Sequence, residues 1–171
     1  MPEIKIRIFT GKSFKTYIPS LAKLRLDIFK EYPFLHAAKQ EEESEKFHHL
    51  IQVKESAVII VFDGSKIIGT SLGFPFEYAP SYLHTPFIEH KLIPKDYFYF
   101  EESMLLKDYR GRGISHHFFD LREKHVKSLK QFKTICFYSI QRPSTDLRRP
   151  KDLVDLETFW KKRGYIEHPE L

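Results

Sequence analysis

Residues 105–115 read LLKDYRGRGIS. Gly111 and Gly113 stand two apart in a basic cluster with Arg110 and Arg112, after an apolar run and before a helical pattern. Strand, glycine turn and helix start together form a recurrent phosphate cradle. The first amides of a helix lack intrahelical acceptors and carry a partial positive charge. Glycine lets the backbone approach an anion with no Cβ in the way. Arginine adds a fork of donors suited to phosphate oxygens. Spacing narrows the class. A P-loop needs G-x-x-x-x-G-K-[ST], and no such run is present. A dinucleotide fingerprint needs a third glycine where this chain has His116.

A second set of reactive side chains lies just upstream, in YFYFEESMLL at 97–106. Adjacent strand residues face opposite ways. Glu102 is therefore expected on the face of Phe98, Phe100, Met104 and Leu106, the more apolar row. A carboxylate there is desolvated, its pKa rises towards neutrality, and it suits a general base. Glu101 is the alternative base, because a bulge in this strand would swap the two faces.

These groups need a strand and a helix to hold them. Residues 97–106 are strongly β-forming and apolar on both faces, as in a central strand. Beyond the turn, Ile114, Phe118, Leu121, His125 and Leu129 recur at helical spacing. Upstream, EIKIRIF places Ile4, Ile6 and Ile8 on one face of a strand. Leu21, Leu24, Ile28 and Tyr32 mark a helix ended by Pro33. KQEEESEKFHHLIQVKES reads as a second helix with an acidic first turn. Asp63-Gly64 joins two strands as a hairpin. Residues 75–96 carry four prolines and two histidines without a period and read as a long insertion. FKTICFYSI reads as a buried strand, and LVDLETFWKKRGY as a short helix stopped at Gly164. The order β-α-α-β-β-β-α-β-α combines a hairpin with a βαβ crossover. It predicts an α/β fold, a mixed sheet with helices on both faces, in a single domain spanning 1–171.

The strand, the R-G-R-G-I-S turn, the helix after it and the element order resemble the GNAT superfamily of acyl-CoA-dependent N-acetyltransferases, whose pattern at this junction is R/Q-x-x-G-x-G/A. Arg110, Gly111, Arg112 and Gly113 fit, and Ser115 replaces the final small residue. The likeness runs from the first strand to FWKKRGY. It implies that the amides of Arg110–Ser115, Ile114 included, bind the pyrophosphate of acetyl-CoA as co-substrate. It implies that the pantetheine arm enters where strands 97–106 and 134–140 part, against backbone groups of Met104, Leu105 and Leu106. It also implies transfer of an acetyl group to a primary amine, on a small molecule or a peptide, by direct attack in a ternary complex. The family pattern F/L-Y-x-x-x-G-F/Y reads FWKKRGY here, with Trp160 at the tyrosine position. An indole N–H can stabilise a thiolate but gives up no proton near neutrality. Tyr138 is then the alternative acid. The unusual Trp160 and the absence of a C-terminal hairpin after GYIEHPEL keep a second reading in view, an acyl-CoA-binding module without turnover. An uncovered sheet edge there invites a homodimer. His84, His90, Arg142, Arg148 and Arg149 are the charges available for an acidic group on the acceptor.

Composition bounds the rest. Hydrophobic and charged residues at 42% and 30% suit a globular chain. The net charge of +5 favours anionic ligands, but EEESE at 41–45 interrupts it and no nucleic-acid motif is present. Cys136 stands alone, so no disulfide framework forms within one chain. No signal-peptide core opens the sequence, and no apolar run approaches the roughly 20 residues of a membrane span. A cytoplasmic location, with no metal and no membrane partner, is the expectation.

Overall fold

The computed structural model describes residues 3–151, 153, 154 and 156–171. Strands β1 (Ile4–Phe9), β2 (Ala57–Asp63), β3 (Lys66–Pro75), β4 (Tyr97–Leu105) and β5 (Thr134–Cys136) form one sheet in that spatial order. The first four pair antiparallel, and β5 runs parallel to β4. The helices are α1 (Ile18–Phe29), α2 (Gln40–Leu50), α3 (Ser81–Glu89), α4 (Ile114–Leu129) and α5 (Glu157–Lys162). The mixed α/β sheet with helices on both faces is therefore the observed architecture. No helix of the described residues is long and apolar enough to cross a membrane.

Strand alternation builds two cores. In β2, Val58 and Ile60 face Leu21, Phe47 and Leu50 of α1 and α2. Ile59 and Val61 face Ile114 and Phe118 of α4. The β2–β3 hairpin turns at Gly64, whose φ of 58° is a left-handed value that glycine adopts without strain. The isoleucine row of β1 is only partly covered: Ile6 packs under α4, while Ile4 and Ile8 remain exposed at the sheet edge.

The structure corrects four expectations. Residues 75–96 are not structureless, since α3 forms there around Pro86. Phe87, on that helix, stacks against Phe76 and Tyr97 at 4.7 and 4.9 Å, so aromatic packing supports a helix that composition argued against. The second helix ends at Leu50, earlier than the sequence pattern suggested. The last strand was expected over 134–140 but pairs only at Thr134–Cys136. In α4 the buried row is Ile114, Phe118, Arg122 and Val126, not the row through Leu121 and Leu129. After α5, Gly164 has a φ of 87°, and no strand follows among the described residues.

Phe118 anchors α4 beneath β2 and β3 and is 1% exposed. Phe118→Ala is expected to cost about 3–5 kcal/mol of unfolding free energy, read from the urea midpoint. A loss below about 1 kcal/mol would show that α4 is held some other way.

Candidate active site

At the end of β4 the chain turns through Lys107–Tyr109 into a bend at Gly111 and Gly113, with φ of 75° and 78°. Both values are left-handed, where a side chain is strained and glycine is not. A Cβ built on either glycine meets no protein atom within 4 Å, so both face open space. Gly113 caps α4. Among the described residues, the amides from Gly111 to Ser115 have no acceptor in the chain. The bend is thus a concave run of donors at a helix N-terminus, built to meet an anion. Its arginines brace the bend. Arg110 donates Nε to the Leu105 carbonyl at 2.9 Å and pairs with Glu31 at 2.9 Å. Arg112 donates to the Asp108 carbonyl at 2.8 Å. Anion contact in this geometry falls to backbone amides more than to guanidinium groups.

Beside the bend the sheet opens. Pairing of β4 with β5 ends at Tyr99 and Cys136, and residues 137–140 join no ladder. Ser103, in the middle of β4, is consequently exposed. The Leu106 amide donates to Ile68 on β3 at 2.9 Å and is committed there. Antiparallel pairing alternates the direction of backbone groups, so those of Ser103 and Leu105 point into the opening. Of Met104, Leu105 and Leu106, only Leu105 therefore offers its amide to a guest. The opening belongs to a cleft of 2620 Å³ whose walls include Arg110, Ser115, Leu105, Ser103, Glu101 and Lys46. That volume exceeds the roughly 300–1,000 Å³ of an ordinary small-ligand pocket.

Deeper in the cleft lies a buried charge cluster. The β3–β4 register slips between Leu72 and Gly73: Leu72 faces Glu102 and Gly73 faces Phe100, so Glu101 is an extra residue. The expected placement of Glu102 beside Phe98 and Phe100 is thereby corrected. Those rings face α4, whereas Glu101 and Glu102 both turn to α1 and α2. Lys46 Nζ reaches Glu101 at 3.1 Å and Glu102 at 3.3 Å. Arg25 Nε donates to both oxygens of Glu102, at 3.0 and 3.1 Å, and its NH1 pairs with Glu43. Burial pulls Arg25 and Lys46 down, but the surrounding carboxylates outweigh it and hold both cations above their ordinary values. Burial, then the like charge of Glu102, pushes the Glu101 carboxyl up to about 7. Its Oε2 is buried and accepts no hydrogen bond.

The remaining candidates sit elsewhere. Tyr138 lies beyond β5, and its hydroxyl donates to the Leu83 carbonyl at 3.0 Å. Burial raises its pKa, the wrong direction for an acid. Trp160 packs on Phe137 at 5.1 Å in the cluster of Phe119, Phe159 and Tyr165. His84, His90, Arg142 and Arg148 bond to Phe76, Pro86, Pro33 and Asp146 respectively, so the chain itself engages them. Sequence reasoning missed Arg25, Glu43 and Lys46. For Arg25 a signal existed: the residue falls on the apolar row of α1, between Leu21 and Ile28.

No protein-family model matches the sequence, and no curated protein matches it. Solved structures do. The aminoglycoside N-acetyltransferase AAC(6')-Iy in complex with CoA aligns with a TM-score of 0.62 at 13% identity, over 98% of this chain and 90% of that one. A predicted acetyltransferase with acetyl-CoA from Clostridium acetobutylicum gives 0.63 at 16%, over 99% and 94%. A possible acetyltransferase from Clostridium difficile 630 gives 0.65 at 10%, over 96% and 91%. The fold is that of the GNAT-type acetyltransferases.

The raised Glu101 pKa has a stability consequence. A carboxyl whose folded pKa lies above its unfolded value contributes stability that is complete below the unfolded value, near 4.5, and is lost as pH rises through about 7. Glu101→Gln removes that loss. The wild type is expected to fall in thermal midpoint relative to this variant between pH 5 and pH 8. Parallel curves would refute the assignment.

Proposed function

We propose that this protein is an acyl-CoA-dependent N-acyltransferase that moves an acetyl group from acetyl-CoA to a primary amine. One observation carries the reading: the run of acceptor-free amides from Gly111 ends at Ser115, which with Arg110 lines the same cleft as a buried carboxyl held near neutrality. The open space above Gly111 and Gly113 fits a diphosphate, which a Cβ would obstruct. The CoA and acetyl-CoA complexes of AAC(6')-Iy and the Clostridium acetobutylicum protein support the same co-substrate.

Acetyl-CoA, when bound, supplies a thioester carbonyl for an amine to attack, with the thiolate as leaving group. The chain does the rest. Amides of the bend hold the diphosphate, and the Leu105 amide in the opening polarises the acyl carbonyl. The Glu101 carboxylate, which lines the cleft, takes a proton from the acceptor ammonium and frees the nitrogen lone pair. Glu102 serves differently, locked on Arg25 as a structural counter-charge. A thiol of pKa about 8.5 leaves readily as thiolate and takes up the second proton that the attacking nitrogen sheds on becoming an amide, so the mechanism needs no acid from Trp160 or Tyr138. The three carboxylates around Lys46 and Arg25 favour an acceptor that arrives as a cation, and the aminoglycoside substrate class named for AAC(6')-Iy is of that kind.

Two measurements test this reading. Calorimetry should detect CoA binding, weakened tenfold or more by Gly113→Ala. That variant costs the fold only about 1–2 kcal/mol for the left-handed backbone. Undiminished affinity would remove the cradle. Thiol release from acetyl-CoA over a panel of primary amines should be detectable, with the rate falling below about pH 7 as Glu101 protonates. Glu101→Gln should lower kcat by about 10²-fold or more. CoA uptake without thiol release for any amine would instead identify a binding module without turnover.

A further inference from the structure

We propose that Arg122 is a positioning residue for the carboxylate pair. From the far side of the sheet its guanidinium holds the one-residue bulge in β4 that turns Glu101 and Glu102 onto the same face. The inference rests on the base role given to Glu101 above, and it names a group that never touches substrate.

Arg122 occupies a core position. It follows Ile114 and Phe118 and precedes Val126 on the buried row of α4, and it is 1% exposed. An apolar side chain is the ordinary occupant of such a site. A buried cation there is costly unless paired, yet Arg122 makes no ion pair with a carboxylate among the described residues. Burial pulls its pKa down to about 9. What it holds instead is backbone and rings. NH1 donates to the Leu72 carbonyl at 3.0 Å, and Nε to the Phe118 carbonyl at 3.3 Å. Its guanidinium lies 4.0 Å from the centre of the Phe100 ring and 4.8 Å from that of Phe119.

Leu72 and Phe100 are the residues that flank the slip. Leu72 is the β3 residue opposite Glu102, and Phe100 is the last β4 residue before the extra one. A bulge breaks the ladder locally and leaves a backbone group to be satisfied some other way. Arg122 satisfies the β3 carbonyl and clamps the β4 ring in one contact. Without the slip, Glu101 and Glu102 would face opposite sides, and no single ammonium would reach both as Lys46 does.

Arg122→Met keeps volume and removes the donors. The direct readout is the titration of the Glu101 carboxyl by ¹³C NMR in the protein without ligand, assigned with Glu101→Gln. The groups that act on Glu101 are Lys46 from α2, Arg25 from α1, and Glu102 and Tyr99 from β4, with Glu43 of α2 paired to Arg25 behind them. A loosened bulge moves Glu102 away and admits water, and both changes lower the midpoint. The expected result is a fall of one pH unit or more from the near-neutral wild-type value, with kcat for acetyl transfer down tenfold or more and CoA affinity within twofold. An unchanged midpoint in folded Arg122→Met overturns the proposal, as does a wild-type midpoint already in the ordinary carboxylate range. Arg122→Lys keeps a donor for Leu72 and covers the case in which the methionine variant does not fold. It should retain the wild-type midpoint, and a midpoint returned to the ordinary range overturns the proposal. If the wild type acetylates no amine, the base role of Glu101 fails while the titration still decides the role of Arg122.

Discussion

Between Phe100 and Glu102 the ladder of β3 and β4 slips by one residue, and the buried electrostatics of the molecule is arranged around that slip. Two adjacent carboxylates on one face, both out of water, repel each other and resist ionisation. Arg25 and Lys46 answer them from α1 and α2, and Glu43 joins as a third acid. Set against Arg25 and Lys46, three ionised acids leave one surplus negative charge, with the half-exposed His36 3.6 Å from Glu43 at the edge of the cluster. A single proton removes it. Glu102 is bonded through both oxygens to Arg25, and Glu43 is bonded to the same guanidinium, whereas Glu101 keeps an oxygen without a donor. The proton therefore settles on Glu101, whose carboxyl burial, and then the charge of Glu102, push up to about 7.

The two ends of the cleft solve different problems with different materials. At the bend, donors must be numerous and fixed without side-chain entropy, and backbone amides held by left-handed glycines meet that need. At the carboxylate cluster, the proposed role is a change of charge during a reaction, which only a side chain can perform. Strand β4 links them. Leu105 and Glu101 are four residues apart, about 13 Å along an extended strand, so one rigid element sets the spacing between the glycine bend and the Glu101 carboxyl.

The bend was legible in the sequence because glycine spacing and a helix start are local signals, read without knowing the fold. The mixed sheet was legible for a similar reason, since period-two and helical patterns mark their own elements. What escaped was non-local. The bulge at Glu101 appears in no residue pattern of β4 alone, because it is a property of its pairing with β3. Helix α3 escaped because Pro86 argues against a helix until Phe76 and Tyr97 supply packing partners from outside it. Arg25 and Arg122 left a trace, each being a charge on a row that is otherwise apolar. A charge in core register predicts a buried partner, but not which element brings it.

The opening of the sheet has its own cause, and it lies in the aromatic content. Aromatics make up 15% of the chain, and a dense group of them gathers where β5 ends. Phe137, the first residue past the last ladder pair, packs on Phe119 of α4, Trp160 of α5 and Tyr165 at 6.1, 5.1 and 5.1 Å. Tyr138 next to it is drawn the other way, to the Leu83 carbonyl on α3. Held on both sides, this segment has no freedom to return to β4, and the backbone of Ser103 and Leu105 stays uncovered. Trp160 thus has a structural task at the position where the resemblance anticipated a proton donor.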